Sequence, residues 1–175
     1  PRGGSTDLLA RRIAEPLQLA LGHSVIVENR AGAGGTVGAD YVAKSKPDGL
    51  TLLMGVTGSN AIAQALYPKL SYHVVTDFAP VSMLVSAPLV VAVNPSVKAS
   101  TLAEFVALAK TRPGGLTYGS PGNGTSMHLT GEMFEIATRT SLVHIPYRGS
   151  AGMLTDLMGG QIDATFGDLL VLQPQ

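Results

Sequence analysis

Four short stretches of this chain combine glycine with hydroxyl or amide side chains: RGGSTD (2–7), GVTGSNA (55–61), SPGNGTS (120–126) and YRGSAG (147–152). Glycine lets a ligand approach the backbone, and Ser, Thr or Asn either caps a helix or bonds the ligand. Each stretch runs into a helical apolar period, so each reads as a turn that feeds a helix. Helix N-termini carry unpaired N–H groups and partial positive charge, and their natural guest is an anion. One such end contributes about 0.3–1 kcal/mol. Several that converge, with hydroxyl donors added, can hold a carboxylate without an arginine. Any one of these turns is ordinary in an α/β protein; four in series point to a site.

Other chemistries find less support. No GxxxxGK[ST] loop exists, so a nucleotide-type phosphate cradle is unsupported. RAGAGGTVG follows the apolar run SVIVEN, but Val37 stands where a dinucleotide fingerprint needs its third glycine. Packing of Gly35 and Gly38 is the simpler account. YGSPG and GHSVI both miss the G-x-S-x-G nucleophile pattern. His128 follows Ser120 by eight residues and falls early in a helix, which suits helix packing or turn bonding better than general-base work. His23, His73 and His144 show no metal-ligand spacing, and the chain has no cysteine. Asp7, Asp163 and Asp168 form a carboxylate pair only if folding joins them, and Asp7 at a helix start reads as dipole compensation. No catalytic residue, metal or cofactor is expected.

Elements of regular type must position these turns. With 175 residues, 45% of them hydrophobic and 14% charged, the chain can build a sizeable core. The formal net charge is zero and there is no basic run, which argues against nucleic acid as a partner. No apolar stretch approaches the ~20 residues of a membrane span. Periodicity predicts a helix over 7–22 with Pro16 bending it, a strand at 24–29, a helix from 34, a strand at 50–55 and a helix from 56. Residues 67–80 look irregular. A long apolar run at 81–95, broken by Pro88, is the expected crossing between lobes. Thr101 and Glu104 then form a capping box. Beyond it come strand LTYGS, helix GTSMHLTGEMFEIA, strand LVHIP, helix GSAGMLTDLMG and strand QIDATFG. The class is α/β with mostly parallel sheets. The alternation opens on a helix and stops where another should begin, so the sequence reads as the middle of a longer protein.

In this order, GGSTDLLAR, VIVENRAGAGGTVGADYVAKSKPDGLTLLMG, DFAPVSML, PLVVAVNPS, YGSPGNGTSMHLTGEMF and IPYRGSAGMLTDLMGGQID resemble the substrate-binding proteins of tripartite tricarboxylate transporters, the Bug family of periplasmic receptors. The resemblance spans essentially the whole chain. It implies a two-lobed, type II periplasmic-binding fold closing over a small carboxylate: a di- or tricarboxylate, an acidic amino acid or an aromatic acid. It implies delivery to a transporter or a sensor protein, a periplasmic location and a monomer. The lobes would be residues 1–90, lacking a first strand and the return crossing, and 91–175.

Carried over residue by residue, the resemblance implies ligand contacts at Gly3, Gly4, Ser5 and Asp7, and at Thr57, Gly58 and Ser59. On the other lobe it implies Ser120, Asn123, Gly124, Thr125 and His128, then Tyr147, Gly149, Ser150 and Asp168. Thr125→Val is expected to weaken binding with little change in fold. Two departures stand out: Arg2, where a small residue or proline is commoner, and Pro121, which stiffens its loop. Arg2 either meets a second carboxylate or points to solvent. Two other readings stay open, the effector lobe of a transcription regulator and a hydrolase using Ser120 and His128.

Overall fold

The structure is a computed structural model that describes residues 2–173. Pro1, Pro174 and Gln175, at the outer ends of the two expected lobes, lie outside the described residues. Helix α1 (Ser5–Leu21) starts after Gly4 and stops at Gly22, whose left-handed φ of 68° lets its N–H reach Gln18 O. Pro16 sits inside α1 without ending it. A 3₁₀ turn at Ala33–Gly35 leads into α2 (Thr36–Ala43), and a π turn at Gly58–Ile62 leads into α3 (Ala63–Leu66).

The two strands expected here, 24–29 and 50–55, are not formed. Neither finds a ladder partner among the described residues, and Ile26 and Leu50 stand 87% and 86% exposed. Apolar runs report affinity for a sheet, whereas a strand exists only when a neighbour takes its N–H and C=O groups. Residues 2–88 therefore contain no sheet, which leaves the first lobe incomplete. Residues 67–80 are irregular, as read.

The remaining half follows its sequence closely. Strand β1 (Leu89–Val93) begins directly after Pro88, and α4 (Leu102–Thr111) carries the expected capping box. Thr101 Oγ1 accepts from Glu104 N–H at 3.2 Å, while Glu104 Oε2 accepts from Thr101 N–H at 3.2 Å. Next come β2 (Leu116–Ser120), α5 (Ser126–Thr138), β3 (Leu142–Pro146), α6 (Ser150–Met158), β4 (Ala164–Asp168) and α7 (Leu169–Leu172). The sheet order is β1-β4-β2-β3, parallel except for the antiparallel pair β1–β4.

The chain steps outward from β2 to β3, then back across β2 to β4. Crossovers of one hand in opposite directions place their helices on opposite faces, and the two cores show this. Leu116 and Tyr118 of β2, with Ala164 and Phe166 of β4, pack under Phe105 and Phe134. On the other face Met153, Leu157 and Ile162 pack with Val171. Strand alternation sorts the residues between these cores. Between Leu116 and Tyr118 on one side and α6 on the other, Gly119 leaves no room: an added Cβ would sit 2.5 Å from Ile162 Cδ1. Gly131 plays the same part for α5, where a Cβ would lie 2.4 Å from the Tyr118 ring.

Candidate functional site

Where strand order reverses about β2, loops at the carboxyl ends of the strands diverge and leave a crevice. Here the ends of β2, β3 and β4 meet the turns of the N-terminal half around a cavity of about 620 Å³.

The opening turn is built on Asp7. Its Oδ2 accepts from Gly3 N–H at 3.0 Å, and its Oδ1 accepts from Arg11 Nε and Asn29 Nδ2, both at 3.0 Å. The Gly3 amide, then Asn29 and Arg11, hold this carboxyl down at about 2 against the opposing effect of burial. Asp7 borders the cavity with its oxygens already engaged, so it anchors the turn. Gly3, at a left-handed φ of 77°, stays behind, while Gly4 and Ser5 line the cavity. Arg2 is exposed and lies outside the lining.

In the second turn Gly58 and Ser59 line the cavity and Thr57 does not. Tyr72 donates to Ser59 O at 2.6 Å, and Ser59 Oγ to Asn60 Oδ1 at 2.7 Å. A Cβ on Gly58 would approach Gly124 O and Gly34 O at 3.1 and 3.2 Å, so this contact tolerates only glycine comfortably.

In the third turn Asn123 and Thr125 line the cavity; Ser120, Gly124 and His128 sit behind it. Thr125 caps α5 by accepting from His128 N–H at 3.3 Å, and donates to Gly122 O at 2.7 Å. That double use adds a stability cost to the weaker binding expected of Thr125→Val. The variant removes a helix cap and a loop tether together and is expected to cost about 1–2 kcal/mol. Thermal unfolding of the two proteins checks it: a lower Tm is expected, and an unchanged Tm would leave the cap without weight.

Ser120 is wholly buried. Its Oγ lies 2.7 Å from His144 Nε2 and also bonds Gly122 through both O and N–H. The Ser120–His128 pair of the hydrolase reading is thus replaced by Ser120–His144, with no face of the hydroxyl open to a substrate. His128 accepts from Gly124 N–H at 3.3 Å through Nδ1, the turn-bonding role its position suggested. The His144 ring stacks between Tyr118 and His128, at centroid distances of 4.8 and 4.3 Å. Burial first, and His128 second, push it down to about 4, with Glu132 opposing. A histidine held neutral in the fold but titrating near 6.5 when unfolded stabilises fully above that pH. The contribution is lost as pH falls from about 6.5 to about 4. Tm measured across this window should fall more steeply for the native sequence than for His144→Phe; parallel curves would contradict this.

In the fourth turn Tyr147, Gly149 and Ser150 line the cavity. Backbone bonds from Tyr147 N–H to Ser120 O (2.9 Å) and from Gly149 N–H to Pro121 O (3.2 Å) stitch it to the third turn. Burial and the bond to Asp156 at 2.7 Å push the Tyr147 phenol up to about 12, so it remains a neutral donor. Asp168, at the end of β4, is 6% exposed and lines the cavity; Ser5 Oγ donates to its Oδ2 at 2.7 Å.

Several site residues escaped the sequence reading. Asn29 and Arg11 brace Asp7 from 22 and 4 residues away. His144 would have been found from the parallel register, which sets it opposite Tyr118, two residues before Ser120. Arg30 and Arg148 line the cavity, Arg30 over the Tyr41 ring at 3.4 Å. Among the described residues no group of His, Asp or Glu is arranged to hold a metal, and no helix is long and apolar enough to cross a membrane.

Residues 9–175 match the tripartite tricarboxylate transporter family receptor. The chain is 42% identical to Protein BugT of Bordetella pertussis over 165 residues, covering 94% of this chain and 51% of that one. Among solved structures, Rpa4515 of R. palustris with adipate superposes at a TM-score of 0.95 and 36% identity, covering 99% of this chain and 58% of that one. MatC of Rhodopseudomonas palustris with bound malate gives 0.90 and 30%, with 99% and 59% covered. One further solved neighbour is a periplasmic transporter, and another is the periplasmic binding protein BugD. The chain spans about half the length of the relatives it matches.

Proposed function

This chain belongs to the tripartite tricarboxylate transporter receptor family, and from that premise we propose that it captures a small organic carboxylate between two lobes, residues 1–90 and 91–175. It hands the ligand to membrane transporter subunits or to a sensor protein, works in the periplasm as a monomer, and performs no catalysis. One observation carries the reading: α1 and α6 both begin at the cavity, and both are capped by glycine (Gly4 and Gly149) without any side-chain bond to their first turn. Their N–H groups are thereby left for a guest, whereas α5 has Thr125 to occupy one of its own. Helix ends of this kind select an anion, and backbone donors suit a flat carboxylate. The adipate and malate held by two structural neighbours are ligands of that class.

A ligand touching both lobes shifts the population toward the closed form by its differential affinity for that form. Titration calorimetry of the full-length gene product with dicarboxylates, tricarboxylates, acidic amino acids and aromatic acids tests the proposal. At least one is expected to bind one-to-one while inorganic phosphate and NAD do not. Binding of phosphate or NAD in preference to every carboxylate would contradict it.

A further inference from the structure

Asn123 and Gly124 form the chain's only Asn-Gly pair; the other asparagines precede Arg30, Ala61 and Pro95. Glycine puts no Cβ in the way when an asparagine carboxamide folds back onto the next main-chain nitrogen. Arg30 and Ala61 crowd that approach, and Pro95 has no N–H to give up. Asn123 is exposed at the cavity wall, within reach of water. Closing such a ring requires the Gly124 amide to lose its proton, and that proton already points at a base. Gly124 N–H donates to His128 Nδ1 at 3.3 Å. On the far side of the ring, Nε2 faces Glu132 Oε1 at 3.6 Å. This favours the tautomer with its proton on Nε2 and the Nδ1 lone pair turned to Gly124.

We infer that Asn123–Gly124 is a self-modification site, where the protein deamidates with His128 as the base. The Gly124 nitrogen attacks Asn123 Cγ as its proton passes to His128 Nδ1. The N–Cγ bond forms, the Cγ–Nδ2 bond breaks, and Nδ2 leaves as ammonia with the proton returned from His128. One water then opens the five-membered imide at either carbonyl, leaving aspartate or isoaspartate; nothing is oxidised or reduced. Both products place a carboxylate where the cavity wall had a neutral amide. Isoaspartate also adds a methylene to the main chain, in the loop whose Asn123 and Gly124 carbonyls abut Gly34 and Gly58. The new charge repels an incoming acid, so the conversion switches the site off. That consequence rests on the carboxylate-receptor reading; the modification itself does not.

The test holds the full-length gene product in warm, mildly alkaline buffer and maps its peptides by mass spectrometry over time. Aspartate and isoaspartate are expected at position 123, and asparagine is expected to persist at 29, 60 and 94. His128→Gln can accept the Gly124 N–H bond but not its proton, and His128→Phe can accept neither. Both should slow the conversion by at least about tenfold. A merely loosened turn would speed it instead, so slowing reports the base. An Asn123 that stays intact while the urea-unfolded protein converts would overturn the inference, and equal rates in all three proteins would remove His128 from it. Malate and adipate binding is then measured on fresh and aged protein and on Asn123→Asp. The variant should bind whichever acid the fresh protein binds at least about tenfold more weakly, because a like charge now faces the guest. Affinity unchanged by ageing or by Asn123→Asp would overturn the switching consequence and leave the receptor reading intact. If the fresh protein binds no small organic acid, the receptor reading falls, while the peptide map still decides the modification.

Discussion

Asp7→Ala is expected to lower stability by about 2–4 kcal/mol, a Tm loss of roughly 5–15 °C, and to weaken ligand binding at least tenfold. Three donors converge on this carboxylate: the Gly3 amide, Arg11 and Asn29. Alanine leaves the Gly3 amide and Asn29 short of an acceptor in a part-buried turn. The turn holds Gly4 and Ser5 at the cavity, so losing its anchor should blur the site as well as the fold. Asp7→Asn keeps one acceptor oxygen and should lose less. A second signature is available in acid. A carboxyl held at about 2 against 3.8 for the ordinary group stabilises fully above pH 3.8, and that contribution is lost as pH falls to about 2. Acid denaturation of Asp7→Ala should lack this component. Calorimetric unfolding of the three proteins checks both points; a Tm for Asp7→Ala within 2 °C of the parent would contradict them.

The second large effect is expected at Gly34. Its φ of 64° lies in the left-handed region, where an L-residue costs about 1–2 kcal/mol. A Cβ there would also stand 2.7 Å from the Asn123 carbonyl, which is backbone and can yield only by moving the SPGNGTS loop. Gly34 and Asn123 both border the cavity, so Gly34→Ala forces apart two of its walls. The combined cost is about 2–4 kcal/mol, with ligand affinity falling at least tenfold. Gly49→Ala is the useful comparison: its φ of 79° imposes the same backbone penalty, but nothing lies within 4 Å of an added Cβ. Gly49→Ala should lower Tm without touching affinity. Equal affinity losses in both variants would show that the Gly34 contact has no special role.

The sequence was most legible where structure is local. The capping box at Thr101 and Glu104, the stop at Gly22 and the β-α alternation from Leu89 onward depend on neighbours a few residues apart, and all are present as read. Pairing is different in kind. The stretches at 24–29 and 50–55 have strand-like composition, yet a strand needs a partner, and apolar content does not reveal whether one is there. The same limit hid the direction of β1, which runs antiparallel to β4. At the site, glycine and hydroxyl content located the four turns, but it could not say which side chains face inward. Ser120 is at the right loop and wholly buried behind it, held by a histidine 24 residues on. Asp7 is at the right turn with its oxygens already bonded. Conversely, the brace from Asn29 and the close approach of Gly34 to Asn123 are long-range facts, set by how the two halves meet.

The most direct trial is native mass spectrometry of the full-length gene product, first as purified and then with small organic acids added one at a time. A single acid adduct per chain is expected, reduced in Asp7→Ala and Gly34→Ala but retained in Gly49→Ala. A folded protein that takes up none of these acids would contradict a carboxylate clamp built from the glycine-capped ends of α1 and α6.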